Sequence, residues 1–81
     1  MIKVLFFAQT RELLGTDSLE VEEGFATVEA LRSSLAAQAG KWSLALEKGK
    51  LLAALNQSVV DFDTPLNDGD EVAFFPPVTG G

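Results

Sequence analysis

Residues 2–8, IKVLFFA, form a nearly unbroken apolar run, and EVAFFP at 71–76 forms a second one near the other end of the chain. An apolar run of that length without clean alternation predicts, for residues 2–8, a strand buried on both faces near the middle of a sheet. The second run predicts a last strand stopped by Pro76 and Pro77, which lack the N–H that a ladder needs. Each run carries two adjacent phenylalanines, Phe6-Phe7 and Phe74-Phe75. Adjacent strand residues point to opposite faces, so one member of each pair turns away from its neighbour.

The segment between them supplies a layer to cover one face. Thr27 is placed to cap a helix, without a full capping box because Ala30 stands at the third helical position. Val28, Leu31, Leu35 and Ala39 then recur at spacings of three and four, and Gly40 is placed to end the helix. Before it, QTRELLG predicts a single helical turn carrying Leu13 and Leu14 and terminated at Gly15. SLEVEE alternates, Leu19 and Val21 against Glu20 and Glu22, as a half-exposed strand antiparallel to the first does.

KWSLALEKGK fits either a strand, through Trp42, Leu44 and Leu46, or a short helix, through Trp42, Ala45 and Leu46. LLAALN reads as a strand, SVVD as a short one, and TPLNDGDEV as a turn-rich connector. The resulting order is an α+β layer arrangement, a sheet with one main helix across one face. A helix-bearing crossover invites parallel pairing of the first and last strands without fixing it.

Eighty-one residues make one small domain that must rely on apolar packing. Hydrophobic residues at 47% supply it. Cysteine and histidine are absent, which removes thiol catalysis, disulfides, Cys/His zinc sites and the commonest general base. Six basic against twelve acidic residues give a net charge of −6, which repels nucleic acid and favours, if anything, a partner with a basic surface. MIKVLFFAQ is too short, and broken by Lys3, for a signal peptide or a membrane span; a soluble cytoplasmic protein is expected. The carboxylates of Glu20, Glu22 and Glu23, and of Asp61, Asp63, Asp68 and Asp70, read as a solvated strand face and as turn formers. They lack the spacing of a calcium loop. Phosphate loops, nucleophile elbows and dinucleotide fingerprints are absent, so no enzyme active site is visible and no metal site is expected.

What remains is the ending, PPVTGG, with no side chain able to act as acid, base, nucleophile or ligand. Pro76-Pro77 is stiff and pre-extended and would project the chain from the sheet. Six residues span at most about 20 Å. Gly80 and Gly81 can thread a narrow channel and adopt angles barred to other residues. That suits a C-terminal carboxylate, on Gly81, delivered into another protein's active site, with a frayed chain end as the plain alternative; residues 1–75 are expected as the folded domain and 76–81 as an extended tail. If the main helix covers one sheet face, one phenylalanine of each pair lies on an open face, which Val59 can join. An exposed apolar patch of that kind marks a partner site. The alternative is that all four phenylalanines are buried.

VLFFAQTRELLG, DTPLNDGDEVAFFPPVTGG and the overall length together resemble the small-subunit family of molybdopterin synthase, ubiquitin-like sulfur carriers with the β-grasp fold. The resemblance covers essentially the whole chain, with Thr10 and Val59 as mild departures. It implies a non-catalytic, sulfur-donating subunit of a heterotetrameric sulfurtransferase complex in molybdenum cofactor biosynthesis, with the active site on the large subunit. A ubiquitin-activating-type enzyme would use ATP to adenylate the Gly81 carboxylate. A sulfurtransferase system would supply the sulfur that displaces AMP and leaves a thiocarboxylate. The tail would then enter the large subunit and give its sulfur to cyclic pyranopterin monophosphate. By the same resemblance, Phe7, Val59 and Phe75 form the contact patch for the large subunit. Pro76, Pro77, Val78 and Thr79 would contact the partner along the tail, and Gly80 and Gly81 would reach the reaction centre. No cofactor is expected on this chain beyond the covalent thiocarboxylate, and Arg11 matches a family position without an assigned role. A protein modifier joined through Gly81 to lysines, a thiamine-type sulfur carrier and a plain binding module remain as alternatives.

Overall fold

The computed structural model describes residues 1–22, 24–38, 40–47 and 49–77. Among them the elements run β1 (Ile2–Phe6), α1 (Ala8–Leu14), β2 (Ser18–Val21), α2 (Val28–Ala36), α3 (Lys41–Ala45), β3 (Leu52–Leu55), β4 (Ser58–Val60) and β5 (Glu71–Phe75). The five strands form one mixed sheet in the order β2-β1-β5-β3-β4. β1 pairs in parallel with β5, and every other neighbouring pair is antiparallel. The two Phe-Phe strands therefore lie side by side at the centre. This is the β-grasp arrangement, with the three helices on one face of the sheet.

Burial follows the register. Ile2, Val4 and Phe6 of β1, Val72 and Phe74 of β5 and Ala53 of β3 point to the helices. Val28, Leu31 and Leu35 of α2, Leu14 of α1 and Ala45-Leu46 at the end of α3 meet them there. Phe74 stacks between Phe6 and Phe62, with ring centroids 6.5 and 6.2 Å away, and Trp42 packs edge-on to Phe6 at 5.9 Å. Such aromatic contacts add roughly 0.5–1.5 kcal/mol each to the area they bury.

Local chemistry sets most element ends. The Thr27 hydroxyl accepts a hydrogen bond from the Ala30 N–H at 3.1 Å, the expected cap of α2. Gly15 takes a left-handed conformation (φ 74°), and its N–H donates to the Arg11 carbonyl at 2.9 Å, closing α1. The ambiguous stretch at 41–50 resolves as the short helix, because that alternative puts Ala45 and Leu46 in the core beside Trp42. Arg32 of α2 fixes it: its Nη1 donates to the Leu46 carbonyl at 2.6 Å, while Nε and Nη2 hold the two carboxylate oxygens of Glu29 at 2.7 Å each.

Two expectations are corrected. α2 ends at Ala36, not at Gly40, and Gly40 (φ 76°) instead stands at the N-cap of α3. α3 then packs against α1 and α2 over the same sheet face, which a single longer helix could not do. Ala39, the fourth member of the apolar stripe, lies outside the described residues. β1 is not buried on both faces: Lys3 is exposed and Leu5 half-buried, because all three described helices lie on the inner side of the sheet.

Candidate functional site

The uncovered sheet face is organised in rows by the strand register. Lys3 of β1 stands opposite Glu20 of β2 and Glu71 of β5, a charged row at one end. In the next row Leu5 faces Ala73, Ala73 faces Ala54, and Ala54 faces Val59 across four strands. Beyond that, Phe75 stands opposite Leu52. Phe7 continues β1 alongside them, its N–H donating to the Phe74 carbonyl at 3.4 Å. The face thus grades from charged to apolar, and its apolar end is the end at which β5 gives way to Pro76.

Exposure confirms an open surface. Phe7 is 46% and Val59 68% exposed, Leu52 is also exposed, and Leu5 and Phe75 are half-buried. Their chain neighbours Phe6 and Phe74 are fully buried. An exposed apolar patch of this kind is the feature by which partner sites on soluble proteins are recognised. The alternative of four buried phenylalanines does not hold, because the helices occupy only the inner face.

The backbone around Phe7 is shaped for this. Phe7 is extended (φ −126°, ψ 159°), and Ala8 follows at φ 54° before α1 begins. A non-glycine residue there costs about 1–2 kcal/mol. The bend sends α1 back over the inner face while Phe7 stays on the outer one. On β4, the hairpin turn Asn56-Gln57 places both residues at positive φ, 49° and 75°, the geometry whose twist matches paired strands. That turn sets the register that carries Val59 to the row of Ala54 and Ala73.

The acidic connector is spent on folding. Asp70 accepts hydrogen bonds from the Asn67 N–H at 2.8 Å and from Asn56 Nδ2 at 3.1 Å. Asn56 Oδ1 in turn accepts from the Glu71 N–H at 3.0 Å. Among the described residues no group of three or more acidic side chains is placed to hold a metal ion. None of the helices among the described residues is long and apolar enough to cross a membrane.

The structure therefore brings Phe7, Val59 and Phe75 onto one face and places Pro76 and Pro77 at its apolar end, Pro76 half-buried and Pro77 exposed. Val78, Thr79, Gly80 and Gly81 lie outside the described residues. Arg11 is exposed on α1, lining a shallow hollow with Gly15, Thr16 and Asp17 on the helical side. Sequence reasoning missed Leu5, Leu52, Ala54 and Ala73. Alternation along LLAALN contained the signal, but only pairing with β5 shows which alternate set faces out.

The ThiS family matches residues 4–81 of the chain. Over 81 residues, the whole of both chains, it is 73% identical to the molybdopterin synthase sulfur carrier subunit of Escherichia coli (strain K12). It is 59% identical, again over the whole of both, to the subunit of the same name from Haemophilus influenzae. Among solved structures it is similar to a chain in the protein–protein complex of subunits 1 and 2 of molybdopterin-converting factor from Helicobacter pylori 26695. That likeness has a TM-score of 0.69 at 27% identity and covers 99% of this chain and 97% of that one.

Proposed function

The chain belongs to the ThiS family, and from that premise we propose that it is the sulfur carrier of a molybdopterin synthase, acting through the carboxylate of Gly81. The observation that carries this reading is the position of the apolar sheet face. It ends where β5 hands the chain to Pro76-Pro77, so a protein seated on Phe7, Leu52, Val59 and Phe75 meets the root of the tail at its own edge. Binding energy from the face would then be available to hold the tail in a reactive site.

A free carboxylate is a poor acyl donor because oxide is its leaving group. Attack of a Gly81 carboxylate oxygen on the α-phosphorus of ATP, with pyrophosphate departing, gives a mixed anhydride whose leaving group is AMP. Hydrosulfide then attacks the acyl carbon, AMP leaves with the carbonyl-bound oxygen that joined phosphorus, and a thiocarboxylate remains. ATP and the adenylating chemistry belong to a ubiquitin-activating-type partner, and sulfur comes from a sulfurtransferase. The large subunit would receive the thiocarboxylate and direct its sulfur to cyclic pyranopterin monophosphate. The chain needs no catalytic side chain of its own for these steps. A cytoplasmic setting, where ATP and reduced sulfur are both present, fits the same scheme.

The test is mass spectrometry of the C-terminal peptide after incubation with ATP, the adenylating enzyme and sulfide. One oxygen of Gly81 replaced by sulfur is the expected result. Sulfur elsewhere on the chain would overturn the mechanism, and an isopeptide adduct to lysine would show a protein modifier instead.

A further inference from the structure

The inner side of β5 forms a stripe that runs one residue past the strand. Val72 and Phe74 point to the helices, and by the alternation of the pleat the next inward position is Pro76. Pro76 is half-buried, whereas Pro77 is exposed. It forms one wall of a groove of about 220 Å³ on the helical side, whose other walls include Thr10 and Leu13 of α1, Leu44 of α3 and Leu51. α1 packs against both β5 and α3, and Thr10 and Leu51 are buried. The register that sets Leu52 opposite Phe75 carries Leu51 alongside Pro76. The first residue of the ending is thus packed against its own domain.

The backbone at this point suits a proline. The Phe74 carbonyl accepts from the Phe7 N–H at 3.4 Å, so the polar edge of Phe74 faces β1. Two residues on, Pro76 turns the same edge to that side. In a continued parallel ladder an N–H there would seek the Phe7 carbonyl. That carbonyl already accepts the Arg11 N–H at 3.3 Å, in the first turn of α1. The N–H that proline lacks therefore has no ladder bond to make, and the ring holds φ at about −65°.

We propose that Pro76 is a positioning residue of the carrier: seated against α1 and Leu51, it fixes the direction in which the tail leaves the domain and the point from which its reach is counted. The inference rests on the carrier reading above. With the root held at Pro76, residues 77–81 reach at most about 17 Å, in place of about 20 Å for six residues. A terminus swung from a fixed root samples less space than one swung from a free hinge. Its effective concentration at a partner's reactive site is correspondingly higher. The open sheet face supplies affinity, and Pro76 supplies alignment.

Two measurements test this. In the free chain, nuclear Overhauser contacts are expected from the Pro76 ring protons to methyl groups of Thr10, Leu13, Leu44 or Leu51. Their absence would overturn the proposal, and this arm does not depend on the folding of any variant. The second measurement mixes preformed Gly81 thiocarboxylate, quantified by mass, with the large subunit and cyclic pyranopterin monophosphate in single turnovers at rising carrier concentration. Pro76→Gly removes both the ring and the restraint on φ. It is expected to lower the maximal rate about tenfold, the scale of ordering one backbone residue. The half-saturating concentration should stay within about twofold of the parent's, because the sheet face still docks. Pro76→Val restores an inward apolar side chain with a stiff χ1 and should recover the maximal rate to within about threefold of the parent's.

An unchanged maximal rate in Pro76→Gly would overturn the proposal. So would a loss confined to the half-saturating concentration, which would make Pro76 a docking contact, or a valine variant as slow as the glycine one. A thiocarboxylated parent that delivers no sulfur would overturn the carrier reading and with it the role given to Pro76. The ring contacts would then report packing alone.

Discussion

Phe74 and Phe75 are consecutive in β5 and lie on opposite sides of the sheet: Phe74 is sealed between Phe6 and Phe62, while Phe75 stands across from Leu52 on the open face. One residue is packed into the core and its neighbour lies on the open surface. Phe74→Ala should therefore cost roughly 3–5 kcal/mol of stability, the range for an aromatic lost from a core. Phe75→Asp should leave a cooperative folded domain but weaken binding to the large subunit, because it puts a charge into an apolar contact. Urea melts and calorimetry on both variants separate the two roles.

At the β3–β4 turn, Gln57 holds φ at 75° although it has a Cβ. Gln57→Gly removes a strain of about 1–2 kcal/mol and adds back up to about 1 kcal/mol of unfolded-state entropy. The net expectation is a stabilisation of a few tenths to about 1 kcal/mol, read as a higher urea midpoint with an unchanged slope. A lower midpoint would mean that the turn is not strained.

Arg32 joins α2 to the end of α3 through Glu29 and the Leu46 carbonyl. Replacing it with Ala should cost about 2–3 kcal/mol, the scale of lost hydrogen bonds to charged groups. The hydrogen bond to Glu29 raises the guanidinium pKa against the opposing effect of burial. A raised folded-state pKa gives stability that is fully present below the unfolded value and is lost only as pH climbs through the folded one. For an arginine that window lies far into the alkaline range. The cost of Arg32→Ala should thus be level between about pH 6 and 9, which paired melts across that range would show.

Deletion of Gly81 should leave the melt nearly unchanged and abolish sulfur transfer. Shortening the tail by one residue withdraws the carboxylate by about 3.5 Å, too far for reacting atoms that must approach within about 3–3.5 Å. Docking through Phe7, Leu52, Val59 and Phe75 should persist. A thermal melt, a binding isotherm and a molybdopterin-forming assay on the truncated protein test all three. Retained transfer would remove the terminal carboxylate from the mechanism.

Features fixed by neighbouring residues were determined by the sequence itself. Thr27 caps α2 and Gly15 closes α1 because a hydroxyl three residues from an N–H, and a residue without a Cβ, act over one helical turn. Pro76 follows the last strand for a similarly local reason, and alternation in SLEV needs only the strand's own pleat. Gly40 shows the limit of such reasoning: its positive φ suits either the end of one helix or the start of another, and here it precedes α3. Which phenylalanine of each pair faces out was beyond local chemistry, since alternation separates the two but names neither side. That choice was made when β1 and β5 paired in parallel with Phe6 beside Phe74 and the helices closed over those two rings. The same pairing brought Leu5, Ala73, Ala54 and Val59 into one row. Residues so distant in the chain share a row only through inter-strand hydrogen bonds, so the apolar face exists only once the sheet has assembled.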